Sequence, residues 1–136
     1  MKEGIAIEVK IEEPFEIAVE HVIEELKKQG FGVLTKIDVK ATLKKKLGKD
    51  FRSYVILGAC NPPLAHRALS EDAVVGLLLP CNVTVEAETD NKSVIRLANP
   101  ETMMTVGDLK DNEILSDVAT EARQRIEKVA AALLDA

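Results

Sequence analysis

The residues with chemical capacity crowd into one stretch, Val55 to Val83. It holds both cysteines, one of the two histidines and three of the five prolines. The dipeptide Cys-Asn occurs twice there, as Cys60-Asn61-Pro62-Pro63 and as Pro80-Cys81-Asn82. Three chemistries suit these residue types. Cys60 stands just before a predicted helix, where the positive end of the helix dipole lowers a thiol pKa, and Cys81 could serve as the resolving thiol. Cys60, Cys81 and His66 are ligand types for zinc or copper(I), although three ligands close a structural site only if a second subunit adds a fourth. The helix start after Asn61 resembles an anion site. Pro62 and Pro63 nevertheless remove two N–H donors, and Asn61 satisfies another as the cap. That leaves His66, Arg67 and Asn82 to meet an anion.

Each of these readings has a plainer rival. A free cysteine often behaves as a small buried hydrophobe, and strand parity sets Cys81 with Val83 and Val85. The chain lacks a Cys-x-x-Cys pair. His66 suits an exposed or capping position on a short helix. His21 stands among Glu20, Glu24 and Glu25 and reads as a surface residue. Asn61-Pro62, with Pro80, reads as a rigid turn that fixes one strand against the next. Gly-x-Gly-x-x-Gly, the Walker loop, Gly-x-Ser-x-Gly and His-Glu-x-x-His are all missing.

The elements that must position these residues follow from periodicity. Ile5, Ile7, Val9 and Ile11 alternate with polar or small residues, as in a half-buried strand. Pro14 opens a helix in which Phe15, Val19, Val22 and Leu26 form a stripe widened by Ala18 and Ile23, and Gly30 stops it. Phe31 to Ile37 reads as a second strand with Phe31, Val33 and Ile37 on one face. Asp38 caps a short helix that turns Ala41, Leu43 and Leu47 inward and its lysines outward, and Gly48 ends it. Tyr54 to Ala59 is a third strand, apolar enough for a central position covered on both faces. A helix over 62–69 is broken by Ser70-Glu71-Asp72. Leu77 to Ala87 is a fourth strand with Leu79, Cys81, Val83, Val85 and Ala87 on one face and Asn82, Thr84 and Glu86 on the other. Thr89 to Lys92 turns into a fifth strand, Ser93 to Ala98. Glu101 to Lys110 has no clear pattern. A long helix runs from about Asn112 to Leu134 on Leu115, Val118, Ala122, Ile126, Val129 and Leu133.

This order predicts an α+β domain spanning residues 1–136. A mostly antiparallel five-stranded sheet carries helices on one face, in the order β-α-β-β-β-β-α with short extra helices. If the third and fourth strands pair antiparallel, Cys60 and Cys81 become neighbours, with Asn61, Asn82 and His66 close by. The apolar material on both sheet faces predicts a homodimer.

Composition narrows the partners. Aromatic residues are only 3% with no Trp, and the net charge is -5, which opposes nucleic-acid binding. The lysines between Lys40 and Lys49, with Arg52, read as a solvated face. No apolar run reaches the ~20 residues of a membrane helix. Met1-Lys2-Glu3-Gly4 leads straight into the first strand without a signal-peptide core. A cytoplasmic setting with free thiols is expected.

The chain also resembles the bacterial and archaeal family called domain of unknown function 302. The likeness is carried by Gln29 to Leu34, Ile37 to Leu43, Ile56-Leu57-Gly58-Ala59-Cys60-Asn61-Pro62-Pro63-Leu64-Ala65 and Gly76-Leu77-Leu78-Leu79-Pro80-Cys81-Asn82-Val83. It implies an α+β domain similar to the TATA-binding-protein-like arrangement, and a dimer. No activity is established for the family in general. Its pattern keeps the Asn-Pro matching Asn61-Pro62 and the proline matching Pro80, whereas the two cysteines look typical of one subgroup. The resulting expectation is a ligand-binding or sensing domain without a catalytic set, cofactor or assigned metal. A small-molecule ligand would enter near Cys60, Asn61, His66, Cys81 and Asn82. The alternative is a thiol- or metal-dependent protein of redox or sulfur handling that uses Cys60 and Cys81.

Overall fold

The structure is a computed structural model and describes residues 4–135. Met1 to Glu3, on which the reading of a leaderless start rests, and Ala136 lie outside the described residues. Five strands form one open sheet: β1 (Ala6–Ile11), β2 (Gly32–Asp38), β3 (Tyr54–Cys60), β4 (Cys81–Thr89) and β5 (Lys92–Ala98). Their spatial order is β1-β5-β4-β3-β2, and every ladder is antiparallel. The helices are α1 (Phe15–Lys28), α2 (Val39–Leu47), α3 (Pro62–Glu71), α4 (Pro100–Met103) and α5 (Glu113–Leu134), with short 3-10 turns at Ala73–Leu78 and Gly107–Leu109. The architecture is the predicted α+β one.

One sheet face carries the main core. Val9, Val55, Leu57, Val83, Val85, Ile95 and Leu97 project from it onto Val19, Val22 and Leu26 of α1 and onto Ile126, Val129 and Leu133 of α5. The α1 stripe is the one periodicity predicts, although Pro14 caps the helix from outside and Phe15 begins it. Gly30 follows at φ +85, a conformation that favours glycine, and Phe31 N–H then bonds back to Leu26 O at 2.9 Å. A second cluster is built from Leu64 and Ala68 of α3, Val75, Met104, Leu109, and Leu115, Val118, Ala119 and Ala122 of α5. The C-terminal half of α5 therefore serves the sheet core and its N-terminal half serves a separate one.

Several expectations are corrected. β4 starts at Cys81, because Ala73–Leu78 winds into a 3-10 turn instead of a strand. Asp72 starts that turn by accepting from Val74 N–H at 3.0 Å. Pro80, joined to Leu79 by a cis peptide, has no N–H to give a ladder. Ser70 and Glu71 stay within α3, which ends at Glu71 with Asp72 as its C-cap. Phe31 is buried but precedes β2, and the register shifts between Val33 and Thr35. The shift reverses side-chain parity, so Ile37 leaves the core face, pairs with Ile56 and is 48% exposed. The short helix α2 rests against β2 and β3 without burying any residue; Leu43 is half-buried, and Ala41 and Leu47 face solvent. β3 is interior, but β4 holds the centre of the sheet. On its second face Tyr54 and Ile56 are only half-buried.

That second face carries a charged row. Arg52 and Arg96 both donate to Glu86, and Arg96 Nε also donates to Glu8 at 2.9 Å. Burial acts to raise the Glu86 pKa, yet the hydrogen bonds from Arg96 and Arg52 outweigh it and hold the carboxyl below its usual range.

Candidate functional site

The starts of β1, β2 and β4 and the ends of β3 and β5 lie at one end of the sheet, as the antiparallel register requires. Both strand ends leave through an Asn-Pro corner. Asn61 caps α3 after β3, and Asn99 caps α4 after β5. Asn99 is nearly fully buried; its Nδ2 donates to Gly4 O at 3.0 Å and its Oδ1 accepts from Glu101 N–H at 3.1 Å. Asn61, 7% exposed, accepts from Leu64 N–H at 3.2 Å and turns Nδ2 toward Gln29 O at 3.5 Å. Arg125 Nη1 donates to the same carbonyl at 3.1 Å.

The α3 start has no spare donors in its first turn. Pro62 and Pro63 carry no N–H, Leu64 N–H goes to Asn61 Oδ1, and Ala65 N–H goes to Asn61 O at 2.9 Å. The first turn of α3 therefore offers an anion no free backbone N–H. Asn61-Pro62 instead joins the end of β3 to the end of α1. Pro80 packs over Gly58 of the neighbouring strand, where an added Cβ would come within 2.8 Å of Pro80 Cγ and run into Thr35 Oγ1.

Between these corners lies a crevice of about 30 Å³, roughly the room of one water molecule. Phe31, Ala59, Cys60, Asn61 and Cys81 line it from the sheet end, and Leu64, Ala65, Ala68 and Leu79 from α3 and the following turn. Pro100, Met104, Val118, Ala119 and Ala122 complete the wall. The crevice thus sits at the seam between the two hydrophobic clusters. Both cysteines are free and half-buried. Cys81 pairs with Ala59, one residue before Cys60, so the two cysteines stand at adjacent strand ends, and both line the crevice. Burial pushes the Cys81 thiol pKa up, and the neighbouring Cys60 adds to the shift.

Of the five residues expected together, Cys60, Asn61 and Cys81 converge. Asn82 does not, because it has the opposite parity to Cys81, pairs with Gly58 and faces solvent. His66 does not either. It lies two residues beyond Leu64, a rotation of about 200° around the helix, and takes no part in the crevice wall. The Cys60, Cys81 and His66 trio is therefore not assembled. Among the described residues no group of three or more His, Cys, Asp or Glu side chains is placed to hold a metal ion. The far wall escaped the sequence reading, because the segment before α5 lacks periodicity. The one signal was Asn99-Pro100, a second Asn-Pro at a strand end.

These features define an α+β domain in which the core of an open antiparallel sheet and a second, helix-built cluster meet at a crevice lined by both cysteines. The chain belongs to the family described as Domain of unknown function DUF302, whose family model matches residues 7–133. It is similar to the crystal structure of uncharacterized conserved protein DUF302 from Bacillus stearothermophilus. The two share 29% identity, and the match covers 96% of this chain and 99% of that one at a TM-score of 0.84. No curated protein matches the chain. Among the described residues no helix is long and apolar enough to cross a membrane.

Proposed function

We propose that this chain is a binding or sensing domain of the cytoplasm rather than an enzyme, with its ligand seated in the crevice beside Cys60 and Cys81. One observation carries the reading. Two free cysteines from different strands line a crevice whose other described wall residues are apolar, apart from Asn61, whose side chain is already hydrogen-bonded. No acid–base pair accompanies the thiols there, so binding is better served than catalysis. The size of the crevice suits a ligand of very few atoms. The test is a thermal-shift panel of small apolar compounds, thiol-reactive compounds and soft metal ions, with each hit checked for slower alkylation of both cysteines. Ala119→Val, which adds volume to the wall, should abolish the hits. A panel in which nothing slows alkylation would end the reading.

The chain is further proposed to work as a homodimer through the sheet face that lacks α1 and α5. Support comes from Ile37, exposed beside half-buried Ile56 and Tyr54 on that face. Sedimentation equilibrium should show a dimer that Ile37→Lys dissociates; a monomer at all concentrations removes the proposal. A thiol-redox reading draws on the same cysteine pair. It is weakened by Cys81, whose raised pKa keeps it protonated and slow as a nucleophile. If mass spectrometry finds no Cys60–Cys81 disulfide after equilibration with glutathione buffers, that reading fails.

A further inference from the structure

Among the described residues four carry sulfur: Cys60, Cys81, Met103 and Met104. Three of them, Cys60 of β3, Cys81 of β4 and Met104 just after α4, line the crevice. We infer that these three sulfur side chains form a binding site for a soft monovalent cation of the copper(I) class. The inference rests on the binding reading above and names its ligand.

The donor set selects the ion. Thiolate and thioether sulfur favour copper(I), whereas magnesium, calcium and manganese want oxygen and zinc wants four nitrogen or sulfur ligands. The crevice offers no carboxylate or imidazole among its described wall residues. Asn61, its one polar side chain, is committed to Leu64 N–H and Gln29 O. A hydrated hard cation would have to shed its water against an apolar wall without new oxygen partners. A soft ion trades its water for the sulfur ligands that this wall supplies. Size agrees, because a space of about 30 Å³ takes an ion more readily than an organic molecule. Met104 alone would pass as ordinary core filling. Its place in the same wall as both thiols of the chain is what filling does not require.

The binding step balances without an oxidant or reductant. Two S–H bonds break, two S–Cu bonds form, and both protons pass to the buffer. Met104 Sδ adds a lone pair, and copper stays monovalent. Cys60 and Cys81 are the only titratable side chains among the described wall residues. Binding replaces their protons with the metal, so affinity should climb with pH, by up to about 100-fold per unit where both protons are released.

The test uses the full-length reduced chain under anaerobic conditions, titrated with copper(I) held by a competing chromophoric chelator. The expected result is one equivalent per chain, sulfur-only coordination by X-ray absorption, and affinity that rises with pH. Cys60→Ser and Cys81→Ser should each weaken binding by at least ~100-fold, and Met104→Leu, which conserves volume, by ~10-fold. His66→Ala should change nothing, and zinc should not compete. Circular dichroism of the apo variants shows that they fold; Met104→Leu carries the test should a cysteine variant not. Unchanged affinity in the Cys60→Ser, Cys81→Ser double variant, or nitrogen or oxygen ligands in the absorption spectrum, overturns the inference. If copper(I) does not bind while another panel compound still slows alkylation of both thiols, this inference falls and the binding reading stands. If neither happens, both fall.

Discussion

Asn61→Ala is the most informative single change, because the work of this side chain can be itemised. Its Oδ1 takes Leu64 N–H, the one first-turn donor of α3 left over after Pro62, Pro63 and the Ala65 bond. Losing a cap costs about 1 kcal/mol, within a range of roughly 0.5–2. Leu64 is buried, so its N–H would lack easy access to water, which places the cost in the upper half of that range. The Nδ2 contact adds little, because it is long and Gln29 O keeps the Arg125 donor at 3.1 Å. The sum is ~1.5 kcal/mol, or roughly 4–6 °C of melting temperature for a chain of this size. Asn61→Ser keeps an acceptor for Leu64 N–H without burying a charge, so it should cost less than half as much. Urea unfolding followed by circular dichroism, with unchanged m-values, measures both. A loss below about 0.5 kcal/mol for Asn61→Ala, or equal losses for the two variants, would refute the capping argument.

Three further outcomes follow from the same structure. Gly58→Ala places a Cβ against Thr35 Oγ1 and Pro80 and should destabilise by about 1–3 kcal/mol. Thr35→Ala should recover only part of this, and full additivity in the double-mutant cycle would contradict the close approach. The Glu86 pKa is lower folded than unfolded, so its contribution is present above the unfolded carboxylate pKa and lost as pH falls through the folded one. Glu86→Gln should therefore flatten the acid limb of the stability profile, and an unchanged limb would show that Arg52 and Arg96 do not hold the charge. For Cys81, alkylation against pH should give a midpoint above that of an ordinary thiol; Cys60→Ser should lower it only in part, since burial is the larger cause. A midpoint at or below the ordinary value would reverse that ranking.

The sequence revealed most where a period stayed unbroken. The α1 stripe, the alternation of β1 from Ile7 to Ile11 and the helical spacing from Leu115 to Leu133 reached their predicted faces, because each is a local pattern that burial enforces; Ile5, expected with them, precedes β1 and is exposed. It misled where one residue changed the phase. The shift after Val33 turned Ile37 away from the core. The apolar run before Pro80 matches a strand in composition, yet Asp72 and the missing proline N–H wound it into a turn. At the site, the placing of Cys60 and Cys81 at adjacent strand ends was legible from antiparallel pairing alone. The parity of Asn82 and the helical position of His66 were equally legible and argue against their membership, but proximity in sequence outweighed them. Met104 and Pro100 were out of reach, since only the tertiary path of α5 brings their segment against α3.

The location of the crevice follows from the length of α5. Its 22 residues span about 33 Å, more than the sheet core needs, so its first turns run past the strand ends and collect a second cluster there. Two cores sharing one helix meet along a seam whose walls come from both. Five of the residues along it are alanines: Ala59, Ala65, Ala68, Ala119 and Ala122. Those on α3 and α5 let the two helices approach, but Ala59 lies on a strand and serves no helix contact of that kind. Interiors tolerate few voids, and a single larger side chain in this wall would close the gap. The seam instead stays open beside Cys60 and Cys81. That combination favours a site over simple imperfect packing, because a packing fault has no reason to coincide with both thiols of the chain.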